Sequence, residues 1–222
     1  MKNPTTVLSM RALRSLTFAV VMVLNANISF GQQTEEELAK AARVDNILVA
    51  LGAQDGRHVA DLGSGDGFYT LRIAKAVAPT GRAYAIDIAQ KSLDQVRERA
   101  AKDGVANIEL ILGDAGDPKL PAGQLDGLLI RNAYHEMTEH RSVLANVAKG
   151  LKPGGILVVI DALHEKNRGL TREQQVKGHE IAPEIVEQEL REAGFEVIER
   201  EEQFTRSTLG PGGMWMIRAR RP

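Results

Sequence analysis

The 222-residue chain contains no cysteine. Disulfides, thiolate metal sites and cysteine nucleophiles are therefore excluded in any compartment. Long apolar runs are also missing: no stretch of about 20 apolar residues occurs, so nothing in the body of the chain reads as a membrane span. Acidic residues are absent before Glu35. That gap accompanies Lys2, Arg11 and Arg14, then an apolar stretch from Leu16 to Leu24, then small and polar residues to Gly31. Basic, apolar and small segments in that order read as a secretory signal peptide over residues 1–31, cleaved between Ala26 and Gln32. The expected location is then periplasmic or secreted. An uncleaved anchor and a cytoplasmic product starting at Met22 are the alternatives.

Removing that segment moves the formal net charge from −1 to −4, because it holds three basic residues and no acid. A nucleic-acid-binding protein needs a basic face. The basic cluster here is Arg218, Arg220 and Arg221 at the end of the chain, which reads as a solvated strand end. Nucleic acid is not an expected partner.

What remains, residues 32–222, is long enough for one domain with one good core. Thr34 and Glu37 have capping-box spacing, and Leu38, Ala41, Val44, Leu48 and Leu51 follow at helical intervals. One helix ending near Gly52 is expected. Strands at Arg57–Leu62, Ala83–Asp87, Ile108–Gly113, Gly127–Arg131 and Ile156–Asp161 alternate with helices at Phe68–Ala78, Ser92–Ala101 and His140–Lys149. Such alternation predicts a parallel sheet with helices on both faces. Pro183–Ala193 reads as a helix stopped by Gly194. Two strands, Phe195–Arg200 and Met214–Ala219, follow without an intervening helix, so they form an antiparallel pair. The loop "GPGG" (210–213) joins them.

The first strand runs into "VADLGSGDGFYT" (59–70). A dinucleotide-binding turn needs G-x-G-x-x-G. The spacing here is G-x-G-x-G, with Phe68 where the third glycine of that pattern belongs. No phosphate loop of the form G-x-x-x-x-G-K-[ST] occurs, and no tyrosine has a lysine four residues later. Asp61 would repel a pyrophosphate but favours an ammonium or sulfonium. Asp87 ends the second strand, 24 residues after Gly63, in reach of ribose hydroxyls, and Asp114 ends the third in "LILGDAGDP". Three acids at neighbouring strand ends suit a ligand with an amine, a ribose and an aminopurine, as in S-adenosylmethionine.

With "VADLGSGDG" (59–67), "AYAIDI" (83–88), "GDAGDPKLPAGQLDGLLIRNAYHEM" (113–137) and "LKPGGILVVID" (151–161), the sequence resembles the class I S-adenosylmethionine-dependent methyltransferases over residues 40–220. The resemblance implies a Rossmann-like sheet of order 3-2-1-4-5-7-6 with the last strand antiparallel. It implies that Gly63, Gly65 and Gly67 contact the methionine part, Asp87 the ribose and Asp114 the adenine amine. Asp61, Ser64, Ile88, Ala115 and Arg131 are expected in the same cofactor site. The residues facing the methyl group are "RNAYHEM" (131–137), with His135 as candidate general base and Tyr134 or Glu136 orienting it or the acceptor.

The acceptor is narrowed by exclusion. No "NPPY"-type motif for amide or base amines is present. Without cysteine, thiol-adduct pyrimidine methylation and the cysteine-based arsenic route are excluded. Catechol-type metal-dependent enzymes carry Asp-Asn after the fifth strand, whereas Asp161 is followed by Ala162. A small-molecule acceptor methylated on O, N, S or activated carbon remains. A noncatalytic cofactor-binding module and an NAD-dependent oxidoreductase on a variant turn are the rival readings. The dipeptide His-Glu occurs at 135–136, 164–165 and 179–180. Lacking H-x-x-x-H or similar spacing, these read as scattered surface pairs, and no metal is expected.

Overall fold

The computed structural model describes residues 34–206 and 213–222. The expected signal peptide and the first three residues of "GPGG" lie outside the described residues. The chain divides into two compact units, residues 1–38 and 39–222. In the first, Thr34 and Glu37 form the expected reciprocal cap: the Thr34 amide donates to Glu37 Oε2 at 2.8 Å and the Glu37 amide to Thr34 Oγ1 at 3.2 Å. Helix α1 (Glu35–Ala41) starts there.

The expected single helix is in fact two, α1 and α2 (Val44–Leu51), because Arg43 adopts the left-handed conformation with φ 52°. The break has a tertiary cause. Arg43 donates to Glu201 Oε1 at 2.6 Å and the Phe204 carbonyl at 2.8 Å, and its guanidinium lies 4.5 Å from the Phe204 ring centroid. Those contacts offset the cost of a left-handed nonglycine residue, about 1–2 kcal/mol.

The remaining elements are β1 (His58–Leu62), α3 (Phe68–Val77), β2 (Arg82–Asp87), α4 (Gln90–Asp103), β3 (Ile108–Leu112), β4 (Leu125–Arg131), α5 (His140–Gly150), β5 (Leu151–Leu163), α6 (Arg172–Lys177), α7 (Pro183–Glu192), β6 (Glu196–Arg206) and β7 (Gly213–Arg220). Together the strands form one seven-stranded sheet of order β3-β2-β1-β4-β5-β7-β6. β7 runs antiparallel to β5 and β6, and the pairs from β3 to β5 are parallel. The expected architecture is the one observed.

Central strands are buried on both faces, which is why they read as continuous apolar runs rather than alternations. Leu128, Ile130, Leu157 and Val159 pack with Leu144, Val186, Trp215 and Ile217 on one side. Leu129, Val158 and Ile160 pack with Ile47, Leu51, Ile73 and Val77 on the other.

Three further elements differ from expectation. β5 begins at Leu151 because Leu151 already pairs with Leu125, before a register shift over "KPGG" resumes the ladder at Ile156 opposite Gly127. β6 runs on to Arg206; its "EREEQ" segment is charged because β6 is the edge strand, so it lacks the apolar alternation of a half-buried strand. α6 was not expected. Its signal is a second capping box, in which Thr171 Oγ1 accepts from the Gln174 amide while Gln174 reaches back to the Thr171 amide.

Gly127 tests the seating of α2 on the sheet. A Cβ at this position would lie 2.7 Å from the Leu51 carbonyl oxygen. Gly127→Ala is expected to cost about 1–3 kcal/mol, as overpacking does. Chemical denaturation measures it, and an unchanged midpoint would mean that α2 does not press on β4.

Candidate active site

Strand order reverses around β1, which has β2 on one side and β4 on the other. The connections leaving β1 and β4 therefore diverge, and open α/β sheets carry their ligand sites at such a point, beyond the carboxyl ends of the strands. A cavity of about 300 Å³ lies there, lined by Leu62, Gly63, Asp87, Ile88, Asp114 and Ala115 on one part and by Asn132, Ala133, Glu136 and Met137 on another. That volume falls within the range of small-molecule sites, about 300–1,000 Å³.

The glycine turn is shaped by close approach. The Gly63 and Ser64 amides donate to the Ile86 carbonyl at 2.8 and 3.0 Å, locking β1 to β2. A Cβ on Gly63 would sit 2.7 Å from Ala133 Cβ, so only glycine lets the β1 and β4 connections meet. Gly65, with φ 53°, faces open space: among the described residues, no atom beyond its chain neighbours lies within 4 Å of its would-be Cβ. Gly67 caps α3. The Ser64 hydroxyl is buried and has no hydrogen-bond partner among the described residues.

Asp87 holds this turn. Its Oδ2 accepts the Gly65 amide and its Oδ1 the Ala89 amide, both at 2.9 Å. An ionised carboxylate has about four acceptor sites, so two remain for a ligand. Ile88 is 68% exposed beside it, an apolar surface at the mouth of the cavity. Asp114 is exposed and pairs with Lys119 at 2.9 Å.

Asp61 is almost fully buried and does not line the cavity. It accepts the Thr70 hydroxyl at 2.6 Å, tying β1 to α3. Burial pushes its carboxyl up to about 6, against the opposing pull of Thr70 and of the Arg131 charge. Arg131 also lies outside the cavity lining, with its guanidinium 4.8 Å from the Tyr69 ring centroid.

The segment after β4 sorts its side chains differently. Tyr134 is fully buried, and its hydroxyl donates to Glu189 Oε2 at 2.8 Å. Burial first, then the Glu189 charge, push this phenol far above its ordinary range, so it stays neutral. Glu189 is also held by Arg172 at 2.8 Å, which ties the unexpected α6 to Tyr134. His135 has only 4% of its side chain exposed. Its amide and Nδ1 both face the fully buried Asp161, with Nδ1 2.8 Å from Oδ1. Burial works against the imidazolium, but Asp161 and Glu136 outweigh it and raise the His135 pKa.

Of the residues expected in the site, Gly63, Asp87, Ile88, Asp114 and Ala115 come together around the cavity. Ser64, Gly65 and Gly67 form the adjoining turn, while Asp61, Arg131, Tyr134 and His135 stand outside the lining. The His-Glu pairs are not scattered on the surface. Glu136 Oε1 lies 3.3 Å from His135 Nε2 and 2.9 Å from His179 Nδ1, and Glu180 Oε2 lies 2.9 Å from His164 Nδ1. Ala133, Met137 and Thr138 also line the cavity without having been expected individually. Only their place after β4 marked them.

The sequence matches a family model described as a methyltransferase domain over residues 53–196, and the chain belongs to that family. Its sheet order is that of the class I S-adenosylmethionine-dependent methyltransferases. Among curated proteins it is 26% identical to a demethylmenaquinone methyltransferase of Geobacillus stearothermophilus over 116 residues, covering 52% of this chain and 50% of that protein. It is 28% identical to the ubiquinone/menaquinone biosynthesis C-methyltransferase UbiE of Erwinia tasmaniensis over 144 residues, 64% of this chain and 57% of the relative. The chain thus spans about half the length of the curated relatives it matches. Among solved structures, a SAM-dependent methyltransferase from Aquifex aeolicus superposes with a TM-score of 0.70 at 22% identity, covering 87% of this chain and 100% of that one.

Asp61 makes a pH prediction. Its folded pKa of about 6 exceeds the ordinary 3.8. Between those values the folded state binds more protons than the unfolded one, so this group's contribution to stability falls as pH rises through that window. The loss amounts to roughly 3 kcal/mol above pH 6. Asp61→Asn is therefore expected to gain stability relative to the parent as pH rises from 4 to 7, measured by chemical denaturation across that range. Parallel pH profiles would contradict the buried-acid reading. Tyr134→Phe, in turn, is expected to cost about 1–2 kcal/mol of stability, while leaving adenosylhomocysteine affinity in calorimetry unchanged.

Proposed function

We propose that the chain is an S-adenosylmethionine-dependent methyltransferase acting on a small apolar acceptor. The observation that carries the reading is the cavity at the strand-order reversal, which gathers Gly63, Asp87, Ile88, Asp114 and Ala115 at three strand ends. The residues fit the cosubstrate in chemistry. Asp87 retains acceptor capacity for a vicinal diol, Ile88 offers an apolar face for a base, and Asp114 offers an acceptor for an exocyclic amine. Ser64 has a buried hydroxyl awaiting a partner, and Gly65 leaves open space where a side chain would stand.

When bound, S-adenosylmethionine supplies a methyl group on a sulfonium, an activated leaving group. The protein's task is then chiefly to hold an acceptor atom in line, and alignment alone supplies a large part of the barrier reduction. Ala133, Met137 and Val143 give the acceptor side of the cavity an apolar wall, with Glu136 as its ionisable side chain. An acceptor with an apolar body and a polar edge suits that wall. The printed names of the curated relatives, demethylmenaquinone methyltransferase and ubiquinone/menaquinone C-methyltransferase, make quinone-type acceptors the first to try. For residues 1–31 we retain export as a proposal, which N-terminal sequencing of fractionated cells would decide.

Asp87→Ala should weaken adenosylhomocysteine binding by about 1–3 kcal/mol, the scale of a lost hydrogen bond to a charged group. Titration calorimetry on folded variant reads this directly. Undiminished affinity would overturn the assignment of this cavity to the cosubstrate. Labelled methyl transfer to reduced quinone analogues then separates an enzyme from a protein that only binds the cofactor.

A further inference from the structure

Three side chains at one wall of the cavity and next to it form a set of metal-ligating donors. His135, Glu136 and His179 each place one ligand atom within 4.8 Å of the other two. The tautomer of His135 is fixed by its surroundings. Asp161 is fully buried and accepts backbone amides from His135 at 3.1 Å and Ala162 at 2.7 Å, so it acts as a carboxylate acceptor. Nδ1 of His135, 2.8 Å from the same carboxylate, is then the protonated nitrogen of the neutral ring, which leaves the lone pair on Nε2. That lone pair faces Glu136 Oε1 at 3.3 Å. Two acceptors in that position need a proton or a cation between them.

A histidine whose other nitrogen donates to a carboxylate is the usual support for a metal-bound imidazole. His179 supplies the third donor from a strained position: its φ is 55°, uncommon for a nonglycine residue and frequent at functional sites. The neighbouring Glu180 anchors it, accepting the His164 amide at 2.6 Å and the His164 and Asn167 side chains. Gln175 of α6, fully buried, donates to the Leu170 carbonyl and accepts the Ala182 amide, which holds the same segment against α6.

We propose that His135 Nε2, the Glu136 carboxylate and His179 form a divalent-cation site, selective for zinc. Two imidazoles and one carboxylate match the ligand set of zinc sites that keep a fourth position open. Bonds of about 2.0–2.2 Å to a tetrahedral ion space the ligands by about 3.3–3.5 Å. The His179 ring, 75% exposed, has the freedom to close that gap, whereas His135 and Asp161 are already fixed. Because Glu136 also lines the cavity, the open position faces an oxygen of the acceptor. That last step rests on the methyltransferase reading, but metal binding itself does not.

The test is equilibrium dialysis of tag-free, full-length protein against zinc, with the metal counted by elemental analysis, and cobalt absorption as a second readout. One zinc per chain is expected. His179→Ala and Glu136→Gln change exposed side chains, so both should fold. Each is expected to weaken zinc binding more than about 100-fold, and Asp161→Asn by about 10–100-fold, the usual effect of losing a histidine's supporting carboxylate. His58→Ala, a histidine hydrogen-bonded to Tyr84 in the sheet, should bind as the parent does. Absence of stoichiometric zinc, or equal binding by parent, His179→Ala and Glu136→Gln, would overturn the site. Adenosylhomocysteine titrations on the same samples keep this outcome separate from that of the methyl-transfer reading.

Discussion

The reversal of strand order at β1 is the constraint on which the rest of the structure depends. β1 is paired on both sides, to β2 through Asp61↔Ala85 and to β4 through Asp61↔Leu129. Its outgoing turn packs so closely against the segment after β4 that a Cβ on Gly63 would lie 2.7 Å from Ala133 Cβ. That packing sets how wide the crevice opens and which backbone groups face it. Asp87 then fixes the turn from β2 by accepting the Gly65 amide.

Around that crevice the buried acids work in two ways. Asp61 and Asp161 are both enclosed, yet their partners differ. Asp61 is held by the Thr70 hydroxyl at 2.6 Å and by the Thr70 backbone, yet burial still raises its carboxyl to about 6. Asp161 accepts two amides and an imidazole nitrogen, which is the compensation a buried carboxylate requires. The first acid braces the glycine turn from behind. The second holds His135, whose Nε2 lies 3.3 Å from Glu136 in the cavity lining. Polar groups deep in the sheet thus set the geometry of exposed ones at its edge.

Much of this was legible in the sequence, and the reasons are local. β1, β2, β4 and the centre of β5 are dense in Val, Ile, Leu and Ala because the sheet is covered on both faces. The Thr34 capping box needs only neighbouring residues. Gly63, Asp87 and Asp114 were recognisable because each sits at a strand end with fixed spacing to the next. What stayed hidden depends on distant partners. Arg43 breaks its helix to reach Glu201, 158 residues away. The Asp161 contact with His135 spans 26 residues and the Glu136 contact with His179 spans 43, and no spacing rule links either pair. β6 was cut short because charge, rather than alternation, marks an edge strand.

The measurement that tests the account most directly is a crystal structure of the chain with S-adenosylhomocysteine. The account predicts the ribose hydroxyls on Asp87, the adenine over Ile88 with its amine toward Asp114, and the amino acid end against the Gly63–Gly65 turn. Ligand density elsewhere on the sheet, or at this cavity without contact to Asp87, would contradict it.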